Sequence, residues 1–174
     1  QIHGLVTVGV EPADNLKEEG KAGITHHIQD FWNYNTYMQV IGRRAKVVTA
    51  IGMFYDMEDP NQFISDAGKA LTDDGVFIAQ LMCLKNMLDT NDAGNIVHEH
   101  LEYYSFSSLE YLFNKNGLEI FDVEINDVNG GSYRIFSKLK GSPRTQTAEE
   151  KARVEAVKNS EKDLREIETF QQFF

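Results

Sequence analysis

The sequence predicts an α/β fold, a doubly wound domain built on a parallel sheet, and three observations predict it. Apolar, largely β-branched runs at Leu5–Val10, Ala45–Ile51 and Val76–Leu81 alternate with stretches of helical periodicity. The first run is continuously apolar rather than alternating, as in strands covered on both faces. Late in the chain the pattern changes: Leu118–Val128 and Ser132–Leu139 flank Asn129-Gly130-Gly131, a dense turn signal that predicts an antiparallel hairpin.

The first strand ends at Glu11-Pro12, and a helix is expected from Asp14-Asn15 through Leu16, Glu19 and Ala22 to a stop at Gly23. Ile24–Ile28 fits a short strand. Phe31–Arg44 fits a helix with Phe31, Tyr34, Met38 and Ile41 along one face. The Ala45–Ile51 strand leads to Asp59-Pro60, where proline suits a first helical position because its missing N–H costs nothing there. Phe63, Ala67, Ala70 and Leu71 carry that helix's apolar face, and Asp73-Asp74-Gly75 turns the chain into Val76–Leu81. Phe106–Asn116 is the next helix, stopped at Asn116-Gly117. Thr147–Phe174 reads as a Glu-, Lys- and Ala-rich helix whose last apolar turns need a partner. The expected division is a domain over 1–140, then a linker and helix over 141–174 that lead toward a further domain.

Composition narrows the function classes. The 174 residues are 41% hydrophobic and 25% charged, enough for one domain with a core. A net charge of −10 argues against a nucleic-acid partner, because phosphate binding needs clustered Lys and Arg. No apolar run approaches the ~20 residues of a membrane helix. The first residues lack a secretory signal pattern and Cys83 stands alone, so a reducing, cytoplasmic setting is expected.

Ile96–Ser105 is the densest chemical stretch, with His98, Glu99, His100, Glu102, Tyr103, Tyr104 and Ser105 between a strand and a helix. Polar, proton-handling loops on a packed scaffold are where active sites usually lie. His98 and His100 have the alternation of paired metal ligands, yet no Cys or third His lies nearby and HExxH spacing fails at Glu102, so no metal is expected. Hydrogen bonding that caps neighbouring elements is the structural alternative for these histidines. No glycine-rich phosphate turn precedes the Leu5 strand, so the first βα unit is expected to lie outside this chain.

Four blocks together resemble a known family: Val8-Gly9-Val10-Glu11-Pro12, Gly52-Met53-Phe54-Tyr55-Asp56-Met57-Glu58-Asp59-Pro60, His98-Glu99-His100-Leu101-Glu102-Tyr103-Tyr104-Ser105 and Asn129-Gly130-Gly131-Ser132-Tyr133-Arg134. They are similar to the class I S-adenosylmethionine-dependent methyltransferases, in particular the C-methyltransferases of nucleotide-linked keto-deoxysugars. The resemblance spans about Leu5 to Leu139. It implies a Rossmann-like core, incomplete at its N-terminus, that ends in the antiparallel hairpin.

The resemblance also implies roles. Glu11, beside Pro12, takes the place of the acidic residue that binds the ribose hydroxyls of S-adenosyl-L-methionine; the alternative is a helix-capping carboxylate. Asp30 and Phe31 match the adenine site, or Asp30 is a plain N-cap. Ile51, Gly52 and Met53 match the segment that holds the cofactor's methionine part, with Gly52 allowing close backbone approach; Met53 and Phe54 fit a core equally well. His100 matches the family's base and Glu99 its neighbouring carboxylate, for proton removal next to a sugar ketone. Val97 stands where the family often has a tyrosine that steadies the enolate, so either Tyr103 or Tyr104 substitutes or the substrate differs. His98, Tyr103, Tyr104 and Arg134 complete the expected substrate contacts. The expected partner is a small molecule, with no nucleic acid or membrane, and exposed strand edges allow self-association. Two other readings stay open: an NAD-dependent enzyme of the doubly wound class, with Glu11 on the ribose, and a non-catalytic fragment.

Overall fold

The first strand is shorter than the sequence predicts. In the computed structural model, which describes residues 4–16, 18, 21 and 23–173, strand β1 covers only Val8–Val10. Thr7 and Thr25 exchange backbone-to-hydroxyl hydrogen bonds of 3.2 and 2.9 Å just ahead of it. They lie beside backbone bonds from Thr25 N and His26 N to Thr7 O at 3.0 Å, and Leu5 and Val6, predicted to be covered, stay exposed. β1 pairs in parallel with β2 (His26–Ile28), in the register Val8↔His26 and Val10↔Ile28. A 3-10 turn at Asp14–Leu16 begins the segment predicted as a helix, whose Glu19 and Ala22 lie outside the described residues.

Helix α1 (Tyr34–Ile41) is shorter than the predicted Phe31–Arg44 because both ends are capped. Asn33 Oδ1 accepts from Thr36 N at 2.7 Å, and Gly42 turns left-handed at φ 71°. Phe31 therefore lies outside the helix, and Tyr37 is its buried residue, in ring contact with Trp32 at 5.7 Å. The contacts divide the chain into Gln1–Arg44, which holds these elements, and Ala45–Phe174.

The second unit carries a four-stranded sheet in the order β3-β4-β6-β5. β3 (Ala45–Ile51) and β4 (Leu71–Met82) are parallel, linked by helix α2 (Pro60–Ala70), whose Asp59 cap accepts from Gln62 N at 3.0 Å. The turn expected at Asp73-Asp74-Gly75 is instead an irregularity inside β4: pairing jumps from Ala45↔Leu71 to Val47↔Val76. Gly75 suits this close approach, since a Cβ would lie 3.0 Å from Thr72 O and 3.1 Å from Ala45 O. β5 (Leu118–Asn126) and β6 (Ser132–Leu139) form the predicted hairpin, and β6 also runs antiparallel to β4.

Phe77, Ala79 and Leu81 of β4 and Tyr133 and Ile135 of β6 alternate onto one sheet face. They are buried, as are Ile64 and Ala67 of α2 and Leu109 and Phe113 of helix α4 (Phe106–Lys115). Each such large apolar side chain contributes about 1.5–3 kcal/mol by leaving water. The short helix α3 (Leu84–Asp89), which follows β4, was not foreseen. Helix α5 (Ala148–Ser160) starts with the Thr147/Glu150 capping box and packs along edge strand β5, where Arg153 grips Asp122 at 2.7 Å. The single predicted helix over Thr147–Phe174 is broken after Ser160. Glu161 turns inward, a 3-10 turn follows at Lys162–Arg165, and α6 spans Ile167–Gln171.

Candidate active site

The site begins where β3 ends. Gly52 adopts φ 68° and its amide still donates to Gln80 O at 2.9 Å. A 3-10 turn, Phe54–Asp56, then sends successive side chains in different directions. Phe54 enters the core, 5.5 Å from the Tyr104 ring and 5.7 Å from Phe63. Tyr55 turns toward the His-Glu-His loop: its carbonyl accepts from Leu101 N at 3.0 Å and Glu102 N at 3.1 Å. The end of a sheet strand thus holds the loop by its backbone.

His100 is the most constrained residue of that loop. Its Nδ1 lies 2.9 Å from Asn95 O, and its ring meets Tyr55 edge-on with centroids 4.5 Å apart. A carbonyl can only accept, so Nδ1 carries the proton and Nε2 of the neutral ring keeps the lone pair. Tyr103 donates to the same Asn95 carbonyl at 3.2 Å. Asn95 is held in turn: its Nδ2 donates to Asp92 Oδ2 at 2.6 Å and to Asn129 O at 3.4 Å.

The Asn129-Gly130-Gly131 turn is therefore part of the site as well as a hairpin. Asn129 is left-handed at φ 52° and its side chain also hydrogen-bonds Tyr55. A Cβ on Gly130 would lie 2.7 Å from Asp92 Oδ2, and one on Gly131 2.7 Å from Asn86 Cβ. Only glycine lets the turn sit this close to the segment that carries Asn95.

Electrostatics mark one more residue. Asp56 Oδ1 is buried without a hydrogen-bond partner. Burial pushes its carboxyl above the usual range, the charge of His100 opposes that rise and Glu99 adds to it. Burial likewise raises the Tyr55 hydroxyl, with Asp56 adding to the rise.

The other expected residues scatter. His98 and Glu99 are 90% and 73% exposed in their side chains and 3.7 Å from each other. Tyr104 is buried, its hydroxyl unpartnered and pushed up by burial. Arg134 lies on β6, its Nε and Nη2 at 3.0 and 2.9 Å from Gln80 Oε1 and its Nη1 at 3.4 Å from Glu124.

For the cofactor, each unit presents its residues at the ends of parallel strands, where α/β sheets bind ligands. In the first, Glu11 N donates to Ile28 O at 3.0 Å, so β1 and β2 end together. Glu11 Oε1 accepts from Ala13 N at 2.8 Å; among the described residues Oε2 takes no bond, which fits a diol acceptor. Pro12 O accepts from Gln29 Nε2 at 3.3 Å. Asp30 is occupied by Phe31 N at 2.8 Å and Thr36 Oγ1 at 3.2 Å, while Phe31 is 75% exposed and offers a ring face. In the second, Ile51 is half exposed beside Gly52, where a Cβ would meet nothing nearer than Tyr55 Oη at 3.9 Å, and Met53 is half-buried.

Sequence reasoning did not single out Asp56, Asn95 or Gln80 as functional. Gln80 carried a signal, a polar residue inside a buried apolar run. Asn95 carried none, because its role is its backbone carbonyl.

Parallel strands, a crossover helix and a terminal antiparallel hairpin define the Rossmann-like fold of class I methyltransferases. A family model described as a methyltransferase domain matches residues 1–123, and the chain belongs to that S-adenosylmethionine-dependent family. The C-methyltransferase NovU of Streptomyces niveus is 30% identical over 136 residues, 77% of this chain and 32% of that protein. The chain thus spans about a third of the length of that relative. An S-adenosylmethionine-dependent methyltransferase from Clostridium acetobutylicum superposes with a TM-score of 0.59 at 13% identity, over 78% of this chain and 75% of that one. A Thermotoga maritima protein, described as a possible histamine N-methyltransferase, gives 0.58 at 16% identity over 77% and 72%.

Proposed function

We propose that this protein C-methylates a nucleotide-linked keto-sugar, with His100 as the base. The observation that carries the proposal is the Asn95 carbonyl on Nδ1, which leaves Nε2 to take a proton. Nε2 removes the proton from the carbon next to the ketone. The C–H electron pair moves into the enolate, whose carbon is then the nucleophile. When bound, S-adenosyl-L-methionine supplies an electrophilic sulfonium methyl group. Glu11 would hold its ribose, Phe31 its adenine ring, and Ile51, Gly52 and Met53 its methionine part. Glu99, His98 and Arg134 keep exposed or half-exposed polar groups for the substrate. The name of the 30% identical relative, a C-methyltransferase, supports carbon as the acceptor atom.

The test is incubation of the full protein with methyl-labelled cofactor and a nucleotide-linked keto-deoxysugar, with the product read by NMR. Label should appear on the carbon beside the ketone. His100→Ala should slow transfer by about 100-fold or more, and Glu11→Ala should weaken cofactor binding. Transfer to an oxygen, or full activity in His100→Ala, would sink the proposal.

A further inference from the structure

The proposed base needs a carboxylate partner, and the sequence pattern assigns Glu99 that part. The geometry favours another residue. Glu99 is 73% exposed and lies toward His98. Asp56 belongs to the turn whose Tyr55 ring meets His100 and whose Tyr55 carbonyl holds Leu101 and Glu102. Its Oδ1 is shut away from solvent with no donor. A buried acceptor without a donor costs free energy, and such a group calls for an explanation.

We propose that Asp56 is the positioning carboxylate of His100, balancing the imidazolium that forms when Nε2 takes the substrate proton. The inference rests on His100 being the base. Asp56, from the turn after β3, interacts electrostatically with His100 and Glu99, while Tyr55 meets the His100 ring and Tyr103 shares its Asn95 carbonyl. Of the two carboxylates, Asp56 is the sheltered one, and a charge held away from water acts more strongly on its neighbour. Proton accounting is simple: the proton leaves carbon for Nε2, the electron pair stays in the enolate, and Asp56 changes no bond.

The step can be read without methyl transfer, as exchange of the substrate's C–H for deuterium in heavy water, followed by NMR. With the full protein and a keto-sugar nucleotide, Asp56→Asn should slow exchange by about 10- to 100-fold. S-adenosylhomocysteine affinity and substrate KM should be unchanged. Asp56→Glu should recover part of the rate, which a variant that merely misfolds would not allow. Glu99→Gln is the comparator: if it loses more than Asp56→Asn, the assignment is overturned and Glu99 is the partner. Unchanged exchange in Asp56→Asn overturns it as well. Full exchange in His100→Ala would instead remove the base itself, and with it the function proposed above.

Discussion

Glu161 and Asp56 are both sheltered carboxylates, and the chain treats them in opposite ways. Glu161 follows α5 and accepts from the Tyr133 hydroxyl and, at 2.8 Å, from Phe106 N, the first amide of α4. It therefore caps one helix from the end of another and ties both to β6. Asp56, at the mouth of β3, has a buried oxygen with no donor. Burial raises both carboxyls, but hydrogen bonds from Tyr133, Phe106 and Ser107 oppose the rise at Glu161, whereas at Asp56 it is the charge of His100 that opposes it. The first carboxylate is spent on architecture and is satisfied. The second waits for a proton to arrive next door.

Breaking the satisfied side should have the largest effect. Glu161→Ala strands the Tyr133 hydroxyl and an α4 amide in the core, and should cost about 3 kcal/mol. In a thermal melt this lowers Tm by roughly 6–12 °C. An unchanged melt would mean that water replaces the carboxylate. Gly131→Ala comes next. Its Cβ would press on Asn86 at a φ of 129°, which should cost about 2 kcal/mol and lower Tm by roughly 4–8 °C. It should also slow catalysis, because the same turn holds Asn95. Tyr104→Phe is smaller and of opposite sign. It removes an unpartnered buried hydroxyl, for a gain of up to about 1 kcal/mol. If substrate KM rises as well, that hydroxyl meets the substrate in the working enzyme.

The same contrast explains what the sequence could reveal. Strand Ala45–Ile51, the Asp59-Pro60 helix start and the hairpin were legible because each is written in its own residues: β-branched runs, a cap followed by proline, paired glycines. The His-Glu-His loop was legible as a dense set of proton-handling groups. What stayed hidden depends on distant partners. The long C-terminal helix breaks because Glu161 is drawn to residues 28 and 55 positions away in sequence. The Asp73-Asp74-Gly75 turn proved to be an irregularity within a strand because β3 offers a register on both sides of it. Asp56 looked like one more acidic residue before a helix, and only its buried, unpartnered Oδ1 sets it apart.

The smallest effect tests that distinction most closely. The Asp56 carboxyl in the folded chain is raised above its ordinary value. Stability linked to such a group is complete below the ordinary carboxylate range and is lost as pH rises through the raised value. Asparagine mimics the protonated form at every pH. Asp56→Asn should therefore match the parent in acid and exceed it in Tm at pH 7. A double-mutant cycle with His100→Ala reads the coupling between the two side chains directly. Lower stability in Asp56→Asn at pH 7 would show that the carboxylate already has a partner at rest, as Glu161 has. A gain in stability joined to a loss in proton exchange would mark Asp56 as a residue kept at a structural cost for what it does to His100.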